Sequence, residues 1–205
     1  MSALFVDTSY DITLGLLDEN LAWLDLRTFR GQRASNTLQT EAYKLLSDHH
    51  KKLRDLSSVI SIAGPGFYTG LRLSEGFSDV ASFFKLPHYS FYSYEIPFWL
   101  GVTEGTWITK AYRGEYFIFN WKDDFTSKML LASKGLESLQ VQGKLFIHSD
   151  TALDEKLKLL VSGAVSTNDL MREQPARVFS AVIGGKILRD SFYFRAPEDE
   201  FRMNP

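Results

Sequence analysis

Three short apolar runs open the chain, Leu4 to Val6, Ile12 to Leu17 and Leu21 to Leu26, separated by polar links at Thr8 to Asp11 and Asp18 to Asn20. Short aliphatic runs bounded by Asp, Asn and Ser predict strands. Links this brief join antiparallel neighbours, because a parallel crossover needs a dozen residues or more. A three-to-four spacing of Leu38, Ala42, Leu45, Leu46 and His49 then predicts a helix from about Asn36 to His50, capped by Ser35 or Asn36. A continuous run at Val59 to Ala63 predicts a buried strand. After a glycine-rich turn comes a second helix from Gly70 to Phe84, stopped by Pro87, and a strand at Tyr89 to Tyr92.

The second half is less regular. Pro97, Gly101 and Gly105 punctuate an expected linker. Strands are predicted at Trp107 to Ala111, Tyr116 to Trp121 and Lys144 to His148, and helices at Ala152 to Val161 and Ala176 to Ile183. From Phe192 to Pro205 no pattern emerges, and no internal repeat is visible. The opening order of three strands, helix, strand, helix, strand is an RNase H-like pattern, which actin-like and sugar-kinase-like proteins elaborate. The expectation is an α/β fold of the RNase H-like/actin-like (ASKHA) class, with two subdomains that each carry a mixed sheet flanked by helices. Residues 1–100 form the expected N-terminal domain, and 101–205 a smaller, degenerate second one.

Composition narrows the function classes. Apolar residues make up 44% and charged residues 23% of 205, as in ordinary globular proteins. The net charge of −2 and the absence of a basic stripe argue against a chain that grips a phosphate backbone by itself. The small basic clusters, Arg27, Arg30 and Arg33, then Lys51, Lys52 and Arg54, flank the first helix and read as solvated faces. With no cysteine there are no disulfides or thiolate nucleophiles. Ala3 to Ser9 reads as a strand rather than a leader, and no run reaches eighteen apolar residues. These features point to a soluble, cytoplasmic chain with no membrane association.

Candidate chemistry concentrates in Ala63-Gly64-Pro65-Gly66-Phe67-Tyr68-Thr69-Gly70-Leu71-Arg72. Three glycines and a proline between a strand and a helix make either a phosphate cradle at the helix start or a tight strand-to-helix turn. The stretch lacks the Lys-Ser/Thr ending of a P-loop, the spacing of a dinucleotide loop and the serine of a nucleophile elbow. Asp7 stands where an actin-like kinase would hold nucleotide-bound magnesium through water; equally, it would brace the first hairpin turn. Glu115 and Arg113 would form an ion pair at a strand edge. His49 and His50 are adjacent at a helix end, about 100° apart and ill placed to clamp one ion, while His88 and His148 are isolated. No carboxylate pair or serine–histidine pair stands out, so no metal and no catalytic residue are expected.

The glycine-rich stretch resembles the Gly-Pro-Gly-Ser-Phe-Thr-Gly-x-Arg signature of the TsaB (YeaZ) family. Gly64, Pro65, Gly66, Thr69, Gly70 and Arg72 fall on matching positions, while Phe67 and Tyr68 replace serine and phenylalanine. Asp7-Thr8-Ser9 is similar to the family's Asp-Thr-Ser, and Ala111 to Tyr116 to its Ala-x-Arg-x-Glu-Val-Tyr segment. Clear matching ends near residue 122. The resemblance implies a non-catalytic subunit that supports a TsaD homologue, with a TsaE homologue, in transferring a threonylcarbamoyl group to adenosine of tRNA. It implies contact with tRNA only through that complex, a homodimer when alone, and no cofactor of its own, with ATP or ADP at most at a partner interface. Asp7, Thr8 and Ser9 become a vestigial nucleotide site. The expected partner surface joins Leu38, Ala42 and Leu45 of the first helix to Leu73, Phe77 and Phe84 of the second. The alternatives are an ATP-binding, kinase-like phosphotransferase built on Asp7 and the Gly64–Gly70 loop, and a peptidase, for which no nucleophile, base or metal cage is evident.

Overall fold

The computed structural model describes residues 2–31, 34–111, 114–123, 125–149 and 155–194. Arg33, Tyr112, Arg113, the expected helix start at Ala152 and the tail beyond residue 194 lie outside them. Contacts divide the chain into two compact units, Met1–Tyr92 with Phe179–Pro205, and Ser93–Val178.

In the first unit, β1 (Ser2–Asp7), β2 (Ile12–Leu17), β3 (Trp23–Phe29), β4 (Leu56–Gly64) and β5 (His88–Tyr92) form a sheet of order β3-β2-β1-β4-β5. The first three strands are antiparallel, and β4 and β5 run parallel to β1. Every residue of β1 and β2 is buried, which follows from their near-continuous apolar runs. β3 begins two residues later than expected. Asp18 Oδ1 accepts the backbone N–H groups of Asn20 and Ala22, each at 2.9 Å, and Leu21 takes a φ of 61°, so the turn extends through Ala22.

The crossovers of this sheet are helices α1 (Ala34–Asp48) and α2 (Tyr68–Phe83). Leu38, Ala42, Leu45 and Leu46 of α1 pack on Leu4, Val6, Leu14 and Leu16, with Ala81 of α2 in the same core. Beyond α1, His50 turns to a φ of 53° and Lys51 N–H closes on Leu46 O at 2.8 Å, so His49 and His50 follow the helix rather than end it. Arg27 of β3 bridges Asp25 at 2.6 Å and Asp48 at 2.8 Å, so it braces α1 instead of being merely solvated. The hydrogen bond from Arg27 holds Asp25 below the usual carboxylate range, against burial, with His49 helping.

The second unit holds α3 (Ile96–Trp99), β6 (Glu104–Lys110), β7 (Glu115–Lys122), β8 (Phe125–Ala132), β9 (Lys144–Ile147), α4 (Glu155–Leu160), β10 (Val165–Ser166) and α5 (Thr167–Glu173). Its sheet has the order β10-β9-β6-β7-β8. The expected linker is thus a helical turn and the start of β6. Three elements went unread in the sequence. β8 is an edge strand exposed at most positions, which erases the alternation that marks a half-buried strand. β10 has two residues, and α5 has only seven, capped by Ser166 Oγ, which accepts Asp169 N–H at 3.1 Å. One face of this sheet buries Ile108, Tyr116, Ile118, Ile147 and Leu157. Another cluster stacks aromatic rings, Tyr94 on Phe119 at 4.3 Å and Phe98 on Trp121 at 4.9 Å.

Helix α6 (Pro175–Gly184) is the last helix among the described residues, and from Phe179 the chain belongs to the first unit, where the sequence placed 101–205 together in a second domain. Phe179 packs against Phe5 at 5.5 Å and Trp23 at 5.3 Å, on the first sheet's other face. Gly184 and Gly185 close α6, with Gly185 N–H bonded to Ala181 O at 2.9 Å. The segment after it joins β5: Ser90 N–H donates to Ile187 O and Arg189 N–H to Ser90 O, both at 3.1 Å. Among the described residues no helix is long and apolar enough to cross a membrane.

Candidate functional site

Asp7 ends β1 and is 1% exposed. Its Oδ1 accepts the Ser9 N–H at 2.9 Å and the Ser9 hydroxyl, so the carboxylate caps its own turn. The Thr8 hydroxyl donates to Gly70 O at 2.7 Å, and Phe67 N–H donates to Ser9 O at 3.0 Å. These bonds fasten the Asp7–Ser9 turn onto the loop that opens α2. The glycines of the signature permit that approach. A Cβ on Gly70 would lie 1.8 Å from Thr8 O, and one on Gly66 would lie 2.6 Å from Ser9 Cβ. Gly64 has a φ of 114°, where side chains are rarely tolerated, and its missing Cβ would meet Phe192 O at 2.8 Å. Both sequence motifs therefore meet in space and are joined by the Thr8–Gly70 and Phe67–Ser9 hydrogen bonds.

The chain's own C-terminal segment adds to this closure. Phe192 N–H donates to Ala63 O at 2.8 Å, and Gly66 pairs with Tyr193. Tyr193 OH donates to Glu75 Oε1 at 2.8 Å, and Arg72 Nη1 donates to Glu75 Oε2 at 2.9 Å. Burial pushes the Glu75 carboxyl up, but hydrogen bonds from Ser191, Tyr193 and Arg72 outweigh it and hold the group low. Burial first, then Glu75, pushes Tyr193 up to about 12. Thr69 is exposed in the first turn of α2. Phe67, in the position of the signature's serine, sets its ring on Tyr10 at 5.2 Å.

The expected partner surface splits. Leu38, Ala42 and Leu45 are buried in the core, because the stripe they form is the one α1 lays on the sheet, and of the three only Leu38 borders the groove between α1 and α2. Leu73 and Phe77 are half-buried against that core. Phe84 is exposed, as are Val80, Tyr43 of α1, and Phe83 at 82%. Between α1 and α2 lies an apolar groove of about 330 Å³, lined by Leu38, Leu53, Leu73, Gly76, Phe77 and Val80, with Gln39 and Arg72 at polar positions.

His88 is not isolated. Its Nε2 lies 3.0 Å from Ser61 Oγ and 2.9 Å from Ser78 Oγ. Burial lowers its basicity, opposed by the Asp79 charge, so it is neutral near neutral pH. Sequence reasoning missed this group because Ser61, Ser78 and His88 sit on β4, α2 and β5, and nothing in their spacing announces contact. The one legible signal was Ser74, Ser78 and Ser82 at helical repeats on α2. His148 is buried beside Ser149, with Nδ1 at 3.1 Å from its hydroxyl. Among the described residues no group of three or more His, Asp or Glu side chains is placed to hold a metal ion.

Strand order, directions and helical crossovers define the first unit as an RNase H-like layer, and the second sheet has the same order and directions. The chain is a two-subdomain α/β protein of the actin-like/RNase H-like class. Two solved structures share the fold. YeaZ from Pseudomonas aeruginosa aligns at a TM-score of 0.56 and 15% identity, covering 82% of this chain and 97% of that one. An uncharacterized protein with similarity to peptidase YEAZ from Pseudomonas aeruginosa aligns at 0.51 and 19% identity, covering 64% of this chain and 66% of the other. The fold is thus TsaB-like. No protein-family model matches the sequence, and no curated protein does.

Proposed function

We propose that this chain is a non-catalytic partner subunit that binds a TsaD homologue, joined by a TsaE homologue, in threonylcarbamoyl transfer to adenosine of tRNA. The observation that carries the proposal is the α1–α2 groove beside exposed Val80, Phe83 and Phe84. Large apolar side chains exposed together at a helix end favour a protein partner over solvent. The TsaB-like fold supports the choice of partner. The Asp7 Oδ1 engaged by Ser9 and the close fit of the glycine-rich loop on the Thr8–Ser9 turn support the non-catalytic role. Contact with tRNA runs through the complex, because no basic stripe marks this chain.

Light scattering after size-exclusion chromatography tests this, on the protein alone and mixed with the TsaD homologue of its own organism. A dimer that gives way to a mixed complex, and that Phe83→Asp prevents, is the expected result. A monomer indifferent to TsaD overturns the proposal.

A further inference from the structure

Helix α2 has two unlike flanks. One carries Leu73, Phe77 and Val80 into the apolar groove; the other carries Ser74, Ser78 and Ser82 along i, i+4, i+8. The serine flank faces Ser61 of β4, and His88 and Ser90 of β5, across a cavity of about 240 Å³ closed by residues 188–191. A helix normally meets a sheet through apolar side chains, since burial of apolar area drives the contact. Here Ser61, Ser74, Ser78 and Ser90 are all more than nine-tenths buried around an open space.

The hydrogen bonds of this wall are incomplete. Ser90 Oγ is used, donating to Arg189 O at 2.7 Å and accepting Arg189 N–H at 2.8 Å. Ser78 Oγ donates to Ser74 O at 2.9 Å, so in its 2.9 Å contact with His88 Nε2 it accepts, and the ring donates from Nε2. The other ring nitrogen, Nδ1, is then the unprotonated one, and it has no hydrogen-bond partner among the described residues. Ser74 is 4% exposed and lines the cavity, and its hydroxyl also lacks a partner among the described residues. A hydroxyl that lines the cavity with no partner of its own is free to bond a guest, so the wall is suited to a polar one.

The rim sets the sign of that guest. Glu75 is committed to Tyr193 and Arg72, and the Arg189 guanidinium lies over the Tyr92 ring at 6.0 Å. The Asp79 and Asp190 carboxylates line the same cavity and accept no hydrogen bond among the described residues. The uncommitted charge is negative. The volume lies below that of a typical drug-sized pocket, about 300–1,000 Å³, which limits the guest to a few heavy atoms.

We propose that this cavity binds a small hydroxylated amine, whose hydroxyls meet Ser74 and the Ser61–His88–Ser78 group and whose ammonium faces Asp79 and Asp190. The site is separate from the partner groove, and its test does not read association with any other protein.

Serinol, glycerol and glycerate carry the same hydroxylated skeleton as a cation, a neutral molecule and an anion. Each is titrated into the ¹⁵N-labelled full chain, following amide resonances and the melting temperature. Serinol should shift the resonances of Ser61, Ser74, Ser78 and His88 saturably and raise the melting temperature by mass action. Glycerol should bind several-fold more weakly, and glycerate should leave the spectrum unchanged. Ser74→Ala should weaken serinol several-fold. Asp79→Asn, at the exposed rim and clear of the core, should do the same and decides the matter if Ser74→Ala fails to fold. No saturable shift with any of the three, glycerate binding as tightly as serinol, or serinol binding unchanged in a folded variant would each overturn the proposal.

Discussion

The two sheets have one strand order and one set of directions. β3-β2-β1-β4-β5 in the first unit corresponds to β8-β7-β6-β9-β10 in the second, each with three antiparallel strands followed by two parallel ones. The crossovers differ. The first sheet is crossed by α1 and α2, of fifteen and sixteen residues; the second by a 3₁₀ turn at Ser133–Ser138 and by α4, of six residues among those described. Long helices supply a stripe for the sheet and still leave other faces over. In the first unit those surplus faces form the apolar groove and the serine cavity. The described residues of α4 set Leu157 into the core of the second unit. In the first unit the shared topology thus becomes a platform, because long helices cross it.

Replacing Gly70 with alanine should have the largest effect on that contrast. Its Cβ would collide with backbone at Thr8, not with a movable side chain, and the clasp between the two motifs would have to open. A loss of about 3 kcal/mol or more is expected from denaturant midpoints, whereas Gly76→Ala, with nothing near its Cβ, should stabilise α2 by roughly 0.5–1 kcal/mol. Equal effects at the two positions would dissolve the structural role assigned to the signature.

Next come the cores. Leu45→Ala under α1 and Leu157→Ala on α4 both remove a fully buried side chain. The expected cost is about 2–5 kcal/mol at either site. A larger loss at Leu157 would show that the second layer is the tighter one.

The pH response of His88 is smaller. Its folded pKa is depressed, so folding resists its protonation. Its contribution is intact above the ordinary histidine value of about 6.5 and is lost as pH falls through that value toward the folded one. The melting temperature should drop over that window in the native chain and drop less in His88→Gln. Asp25 is also held low, but it acts only at more acidic pH, where carboxylates protonate.

The smallest effect on stability should come from Phe83→Asp, within about 0.5 kcal/mol, because Phe83 is solvent-exposed in the free chain. That makes it a better probe of association than Phe77, whose ring packs on the core and whose change to a charge would disturb the fold as well.

Much of the first unit was legible before any coordinates. Continuous apolar runs, short polar links and a three-to-four repeat each depend on residues near one another in the chain, and they place β1, β2, α1, β4, α2 and β5 within a few residues. A mixed sheet in each half was expected from the RNase H-like class, but the second sheet's strand order was not legible, because order is decided by pairing across long separations. β8 escaped notice because an exposed edge carries no alternation.

The sequence by itself determined the strand–helix order, the absence of cysteine chemistry and the glycines that a close backbone approach demands. Tertiary structure decided what those glycines approach, namely the turn at Thr8 and Ser9 rather than an open cradle. It decided that Leu38, Ala42 and Leu45 face inward while Phe83 faces out, since periodicity shows that a helix has an apolar stripe but not how far the stripe's margins are covered. It alone brought Ser61, Ser78 and His88 together from three elements, because hydrogen bonds reach across space and leave no spacing in the chain.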